Sequence, residues 1–155
     1  MFTTLLLFHG LLAVALIGAI THQALAAAAK RSEVGKASFI ARFRTTDAAV
    51  YSNAVTVLFA IVIGTGAILY PEYRMVVRPT LQSLDLRAAN GVFELKEHLS
   101  AIGLLLLPAY WASWRQPLVA EYAGIRLWLT CILAAIVWWN FVVGHLLVTI
   151  KGPFL

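Results

Sequence analysis

Three of the four histidines in this chain fall at similar depths in predicted membrane spans. His9 is near the start of the first apolar stretch, His98 near the start of the third and His145 near the end of the fourth. Imidazoles are rare inside membrane segments, because an unpaired polar ring costs free energy in hydrocarbon. Several imidazoles at one level can ligate a metal ion, most often haem iron in this setting. His9, His98 and His145 are therefore the candidate metal ligands.

The agreement in depth depends only on an even number of membrane crossings. Both termini then share one face, and the three histidines lie about one to two turns below it. His22 comes thirteen residues after His9, so it points about 140° away and lies roughly 20 Å deeper. We expect His22 to be interfacial and structural. The pattern allows one haem and does not support a second haem at the opposite surface.

A carboxylate accompanies the second of these histidines. Glu94 precedes His98 by four residues, so the two side chains share a helix face. Such a carboxylate can accept the N–H of a ligating imidazole and fix its tautomer, or it can form a proton relay with the ring. Alternatively, Glu94 only complements the helix dipole in a first turn capped by Asn90.

Arginines precede the third span, in the connection from the second. Arg74 and Arg78 would lie above the level of the histidines, where they can pair with haem propionates or with carboxylates of a quinone site. Lipid phosphates are the more common partner. The connection is about twenty residues long, which is unusual for a helical hairpin. Leu81, Leu84 and Leu86 within it suggest a short helix on the membrane surface.

Composition defines the class of protein that must position these groups. The chain has 155 residues, of which 61% are hydrophobic and 12% charged, whereas soluble domains carry roughly 25% charged residues. We predict an integral membrane protein with a single domain over residues 1–155. The net charge of +5 suits anionic lipid headgroups, so membrane lipids are expected partners and nucleic acid is not.

Four apolar stretches approach the ~20 residues that a helix needs to cross a bilayer. They lie at about 4–28, 50–70, 92–114 and 124–150. The sequence therefore predicts an all-α fold, an integral membrane four-helix transmembrane bundle. We expect Pro71 to end the second span, and Arg115-Gln116-Pro117 to end the third.

Positive charge predicts how the bundle is oriented. On one side of the predicted bundle, the first connection and the third connection with its flanks hold seven Lys and Arg residues. The other side, where the termini are expected, holds five. Lys and Arg concentrate on the cytoplasmic side. We therefore expect both termini outside, which is the periplasm if the membrane is a bacterial inner membrane.

Two short motifs resemble a known group of proteins. Phe8-His9-Gly10 opens the first span, and Leu95-Lys96-Glu97-His98 opens the third. In these motifs and its four-span plan, the chain resembles the small membrane proteins of the protoporphyrinogen-oxidase HemJ and copper-resistance CopD type. The resemblance implies b-haem or copper in the membrane, with His9 as the first-span ligand and Lys96 as a basic residue near the site. The long middle connection departs from that pattern, so an enzyme activity does not carry over.

Two hypotheses of different classes follow. The first is a small membrane redox protein that binds one b-type haem near one surface and passes electrons to or from quinone or a partner subunit. Two of the three histidines would be axial ligands. The alternative is a cofactor-free accessory subunit of a larger membrane complex or homo-oligomer. A copper site is a weaker hypothesis than either, because no Met-rich or Cys-bearing segment is present to supply soft ligands for copper. No nucleophile–base–acid set for a hydrolase can be assembled.

Overall fold

The computed structural model describes residues 2–28, 48–115 and 120–151, and helices account for almost all of them. Five α-helices are named here in chain order: α1 (Phe2–Ala28), α2 (Ala48–Glu72), α3 (Arg78–Ser83), α4 (Arg87–Arg115) and α5 (Ala123–Lys151). A π-helical turn, Tyr73–Val77, joins α2 to α3, and a 3-10 turn, Ala120–Tyr122, precedes α5. The described ranges contain no strand. The prediction of an all-α fold is confirmed.

The four long helices pack as a ring. Helix α1 contacts α2 and α5, and α4 contacts the same two helices from the other side. Successive long helices therefore lie side by side, and α1 and α4 occupy opposite corners. The start of α1, the end of α5 and the turn between α3 and α4 share one end of the bundle, which we call the terminal end.

Most of this bundle is apolar on its outside as well as its inside. Three helical stretches, Phe2–Ala28, Ala49–Ser83 and Ala120–Leu147, are long and apolar enough to cross a membrane. Large apolar side chains on the outer surface are exposed; Leu11 and Trp128, for example, are each 70% exposed. Helices that are apolar all round are typical of a membrane environment. The structure is thus consistent with an integral membrane protein.

The second helix does not end at Pro71, and this prediction was wrong. Helix α2 continues through Pro71 to Glu72, and the π-helical turn carries the chain into α3 without a break in the helical backbone. Proline removes one backbone hydrogen bond, and the wider π-helical turn that follows, a rare form inside α-helices, keeps the chain helical. The expected twenty-residue connection is therefore mostly helix.

The chain reverses in three residues after Ser83. Asp85 has a φ of 55°, the left-handed conformation in which a helix often ends. The Leu86 N–H donates to the Leu81 carbonyl at 2.8 Å, and the Asp85 N–H donates to the Gln82 carbonyl at 3.1 Å. These two bonds are those of a Schellman motif, with Asp in the position that glycine usually takes. The predicted surface helix over Leu81–Leu86 is replaced by the end of α3 and this turn.

Helix α4 begins five residues earlier than the predicted third span and ends at Arg115, as expected. Asn90 lies within the helix rather than at its N-cap. It is buried, and its Oδ1 accepts a hydrogen bond from the Tyr73 hydroxyl at 3.1 Å. The helix also continues through Pro108.

Two apolar clusters of different size hold the helices together. The larger occupies the half of the bundle away from the terminal end; its buried members are Leu16, Ile20, Val55, Phe59, Leu107, Tyr110, Trp114, Leu133 and Val137. The smaller lies at the terminal end around Leu81, Val143 and Leu147. Polar side chains from the long helices lie between these clusters, and they form the candidate site.

Replacement of Gly103 by alanine is expected to lower the free energy of unfolding by about 1–3 kcal/mol, the usual cost of overpacking a core. A Cβ at Gly103 would lie 2.5 Å from Cζ of Phe59 and 3.3 Å from Cγ2 of Ile136. The Phe59 ring is 2% exposed, so it has no open space to enter. Thermal unfolding in detergent measures the change.

Gly64→Ala is the matched control, because a Cβ at Gly64 meets no atom within 4 Å. Since alanine favours a helix over glycine, this variant should be unchanged or more stable by up to about 1 kcal/mol. Equal losses in the two variants would contradict the close packing at Gly103.

Candidate functional site

Each long helix contributes a polar side chain to the region between the apolar clusters. His9 comes from α1, Thr65 from α2, Lys96 from α4 and Asn140 from α5. We call these four residues the polar layer. His9 bonds to Thr65, Lys96 and Asn140 are joined through α4–α5 contacts, and the Lys96 charge lies within electrostatic range of His9. The layer is in the terminal half, at the depth predicted for the histidines.

The ring of His9 is fixed by a hydrogen bond to the next helix. Its Nδ1 is 2.8 Å from Oγ1 of Thr65. The Thr65 hydroxyl donates its proton to backbone carbonyls one turn earlier, with Oγ1 2.9 Å from the Ile61 oxygen and 3.1 Å from that of Val62. A hydroxyl has one proton, and we assign the Nδ1–H of His9 as the donor to Thr65 because the hydroxyl proton then stays with these carbonyls. In the neutral ring, Nε2 then carries a lone pair.

A glycine makes room for this imidazole. A Cβ at Gly66 would lie 3.4 Å from Cε1 of His9, which is tight contact. The ring therefore lies directly over the α2 backbone, and the side chain of His9 is partly buried. A larger residue at position 66 would press on the ring that Thr65 orients.

Lys96 points into the same layer from α4. Its Cε is 3.8 Å from the position of a Cβ on Gly144 of α5, and its Nζ is 4.9 Å from the centre of the Phe93 ring. Its charge lies within electrostatic range of His9. The ion pairs among the described residues join Arg78 to Glu94 and Arg87 to Asp85, so no carboxylate forms an ion pair with Lys96 there.

Asn140 completes the layer one turn before Gly144. Its Nδ2 donates to Oγ of Ser100 at 3.0 Å, and Ser100 donates to the Lys96 carbonyl, also at 3.0 Å. Its Oδ1 is inaccessible and has no hydrogen-bond donor in the described structure. Sequence reasoning did not select Asn140 as a site residue. The available signal was an amide inside the otherwise apolar segment from Trp138 to Phe141.

The other two predicted ligands, His98 and His145, face outward. His98 follows the inward Lys96 by two residues, which turns it about 200° around the helix. His145 follows Gly144, and both histidines are exposed. Their depth agrees with that of His9, but their directions do not converge. The described part of the chain contains no group of three or more His, Cys, Asp or Glu side chains that could hold a metal ion.

The predicted charged residues of the site form contacts at the terminal end instead. Glu94 pairs with Arg78 at 3.2 Å and makes no hydrogen bond to His98. The two charged side chains are 33% and 50% exposed, so the pair contributes at most about 1 kcal/mol. Arg74 is exposed and donates to the Tyr70 hydroxyl at 3.2 Å.

Aromatic rings close the terminal end of the layer. Tyr73 and Phe93 stack with their centroids 3.4 Å apart and their planes 12° apart. The Tyr70 hydroxyl lies close enough to the carboxylate of Glu97 to interact with its charge. These contacts and the Arg78–Glu94 pair join the end of α2 and the segment after it to the first turns of α4. Phe93 thus contacts both an aromatic ring and the ammonium of Lys96.

The fourth histidine lies in the other half of the bundle. The ring of His22 stacks on Tyr51 of α2, with centroids 4.7 Å apart and an angle of 28° between the planes. The structural role expected for His22 stays a prediction. His22 is well separated along α1 from His9.

Comparison of the chain with protein-family models, with curated proteins and with solved structures gives no match. The resemblance to the HemJ and CopD type therefore stays a prediction. Assignment of a function has to proceed from the chemistry of the polar layer.

The Nδ1–H tautomer of His9 can be measured directly. The measurement is an NMR spectrum of protein with 15N-labelled histidine, at a pH high enough to keep the rings neutral. We expect the ring-nitrogen chemical shifts of His9 to be those of an imidazole protonated at Nδ1. His9→Ala identifies its signals. Thr65→Val keeps the shape but removes the acceptor, so the His9 signals should shift towards a mixture of tautomers.

Thr56→Val is the control for that experiment. Thr56 lies on the same helix and donates to the Ser52 carbonyl, far from His9, so the His9 signals should not change. An Nε2–H pattern for His9 in the wild-type protein would contradict the assigned direction of the hydrogen bond.

Proposed function

We propose that this protein is a small membrane redox protein that binds one b-type haem through His9, near the membrane surface where the termini lie. The observation that carries the proposal is the hydrogen bond from Nδ1 of His9 to Thr65. Histidines that ligate metals almost always donate their other ring N–H to a fixed acceptor. That arrangement leaves Nε2 as the ligating atom.

The surroundings of His9 fit an axial imidazole. Gly66 and Gly144 leave the backbone of two helices without side chains beside His9 and Lys96, as a flat group packed between helices requires. Apolar clusters lie on both sides of the layer along the bundle. When bound, a haem supplies one-electron redox chemistry, and its exchange partner would be quinone or another membrane subunit.

Lys96 is better placed than the predicted arginines to meet a haem propionate. Arg78 is already paired with Glu94, and Arg74 is exposed at the terminal end. Lys96 points inward and forms no ion pair among the described residues, and the carboxylate that acts on its charge is that of the adjacent Glu97. Because a cation without a close counter-charge in an apolar bundle is costly, a bound anionic group would stabilise the layer.

The location of the protein forms part of this proposal. The helices suit a membrane, and we place them in a bacterial inner membrane with both termini on the periplasmic side. The support is the excess of Lys and Arg in the predicted connections away from the termini. Most of that charge is in residues 29–47, which lie outside the described residues.

A reduced-minus-oxidised visible spectrum of the purified protein tests haem binding. We expect a sharp α-band with a shifted Soret band, at about one haem per chain. His9→Ala should abolish both bands, because it removes the inward imidazole. Thr65→Val keeps the ligand but loses its acceptor, so haem affinity should fall by about 10–100-fold, as is usual when such partners are removed.

His98→Ala and His145→Ala are the matched controls, because both rings face outward and their replacement should leave the bands in place. Loss of haem in these variants with retention in His9→Ala would overturn the choice of ligand. Absence of haem from the wild-type protein would overturn the proposal, and metal analysis of that sample would test the copper alternative.

A cofactor-free accessory subunit is the second candidate, and the exposure of His98 and His145 favours it. Both rings are at the level of the polar layer on the outer surface of the bundle, where a partner helix could satisfy them more readily than lipid. In this case we expect isolation from membranes in a mild detergent to yield a larger complex. His98→Leu with His145→Leu should weaken that complex without unfolding the bundle, and purification as a monomer would contradict it.

A further inference from the structure

A groove lies on the outer surface of the bundle between α1 and α5. Its lining residues are Ile17, Gly18, Thr21, His22 and Leu25 of α1 and Trp138 of α5. Its volume is about 260 Å³, slightly below the ~300–1,000 Å³ of pockets for drug-sized ligands. A Cβ at Gly18 would meet no atom within 4 Å, so the groove is open at that position. It therefore has room for a small flat group such as a single ring.

The hydroxyl of Thr21 is a hydrogen-bond donor in this groove. Its Oγ1 accepts the indole N–H of Trp138 at 2.9 Å. A hydroxyl that accepts in this way still has its own proton to donate. Among the described residues, that proton has no acceptor.

Thr130 shows how the same pair is completed elsewhere in the bundle. Its Oγ1 also accepts an indole N–H, from Trp114 at 3.1 Å, but its hydroxyl donates to the Arg126 carbonyl at 2.6 Å. Donation to a carbonyl one turn earlier is repeated by Thr56, Thr65, Thr80 and Thr149. Thr21 does not make this bond. Because an unused donor is unfavourable where no water can accept from it, a ligand with an acceptor would stabilise the groove.

Depth in the membrane limits which molecules can bring an acceptor to Thr21. The middle of the apolar helix Phe2–Ala28 is at position 15, so Thr21 is six residues, or about 9 Å, beyond it. Trp138 is about 7 Å beyond the middle of the apolar stretch Ala120–Leu147, which runs in the opposite direction. Both distances are less than half of the ~30 Å hydrocarbon core, and lipid head groups lie outside that core. The acceptor must therefore belong to a molecule whose polar group itself enters the hydrocarbon.

We propose that the head group of a membrane quinone binds in this α1–α5 groove, where one of its carbonyl oxygens accepts a hydrogen bond from the hydroxyl of Thr21. A quinone head is a flat ring with carbonyl acceptors and no donor, and it moves through the hydrocarbon on an apolar tail. It thus matches a groove that has apolar walls, such as Ile17 and Leu25, and an O–H donor. The bond that Thr21 accepts from Trp138 polarises its hydroxyl and strengthens it as a donor. The role of this quinone as an electron carrier rests on the proposed function, but its binding does not.

Thermal unfolding of the full chain in detergent tests the groove with decylubiquinone as the probe. Decylbenzene is the matched control compound, because it has a ring and the same tail but no carbonyl. Decylubiquinone should raise the unfolding temperature of the wild-type protein in a saturable manner, and decylbenzene should bind at least about threefold more weakly. Thr21→Val keeps the shape of the side chain and removes the donor, so its affinity for the quinone should fall about three- to tenfold, as expected for one hydrogen bond.

Two further pairs of variants provide the controls. Thr130→Val removes the same kind of Trp–Thr pair from the interior, so it should bind the quinone as the wild type does. Gly18→Leu fills the groove from a position with open space around it, and it should abolish binding even if Thr21→Val does not fold. Gly124→Leu is its match, because a Cβ at Gly124 also meets no atom within 4 Å and lies outside the groove.

Three results would overturn the quinone groove. They are the absence of a saturable shift in the wild type, equal binding of decylubiquinone and decylbenzene, and equal quinone affinity in the wild type, Thr21→Val and Gly18→Leu. The haem spectrum is a separate measurement, because Thr21 is twelve residues, or about 18 Å, from His9 along α1. Wild-type protein that holds haem but binds no quinone would overturn the groove alone. Quinone binding by wild-type protein without haem would overturn the haem proposal alone.

Discussion

Hydrogen bonds between helices set the register of this bundle. Inside apolar helices a polar side chain cannot rely on solvent, so it has to meet a partner on another helix. Among the described residues, such pairs include Tyr110 with Gln23, Trp114 with Thr130, Trp111 with Asn53, Trp138 with Thr21, Asn140 with Ser100 and His9 with Thr65. A shift of any long helix by one turn would break at least one such pair. Apolar packing alone would tolerate such shifts better.

That register separates the bundle into two halves with different properties. In one half, large side chains fill the interior, and Gly103 lets the Phe59 ring approach α4 closely. In the other half, Gly66 and Gly144 lie beside His9 and Lys96. Glycine thus serves dense apolar packing at one position and leaves room for polar groups at the other two. The bundle can hold a charged side chain at its terminal half because the opposite half supplies most of the apolar contact.

The helical extension of α2 beyond Pro71 places the segment after the proline in contact with the first turns of α4, at the terminal end of the layer. If the helix had ended at the proline, Tyr73 would belong to a loop. The π-helical turn instead carries the backbone forward as a helix, and Tyr73 stacks on Phe93 and bonds to Asn90. Because Phe93 contacts the ammonium of Lys96, this extension also helps to define how the lysine enters the layer.

The sequence by itself determined the helical class, the approximate spans and the depth of the histidines, because apolar length and residue rise along a helix are local properties. It also drew attention to His9 and Lys96. Only the tertiary structure decided which side chains at a given depth face the interior. That direction depends on how each helix is rotated about its axis relative to its neighbours. In the tertiary structure, His98 and His145 face outward, and Glu94 pairs with Arg78. Thr65 and Asn140 become part of the polar layer because each hydrogen-bonds a residue on another helix. The tertiary structure also carried α2 through Pro71, because the helical geometry lost at a proline can be regained within one wider turn.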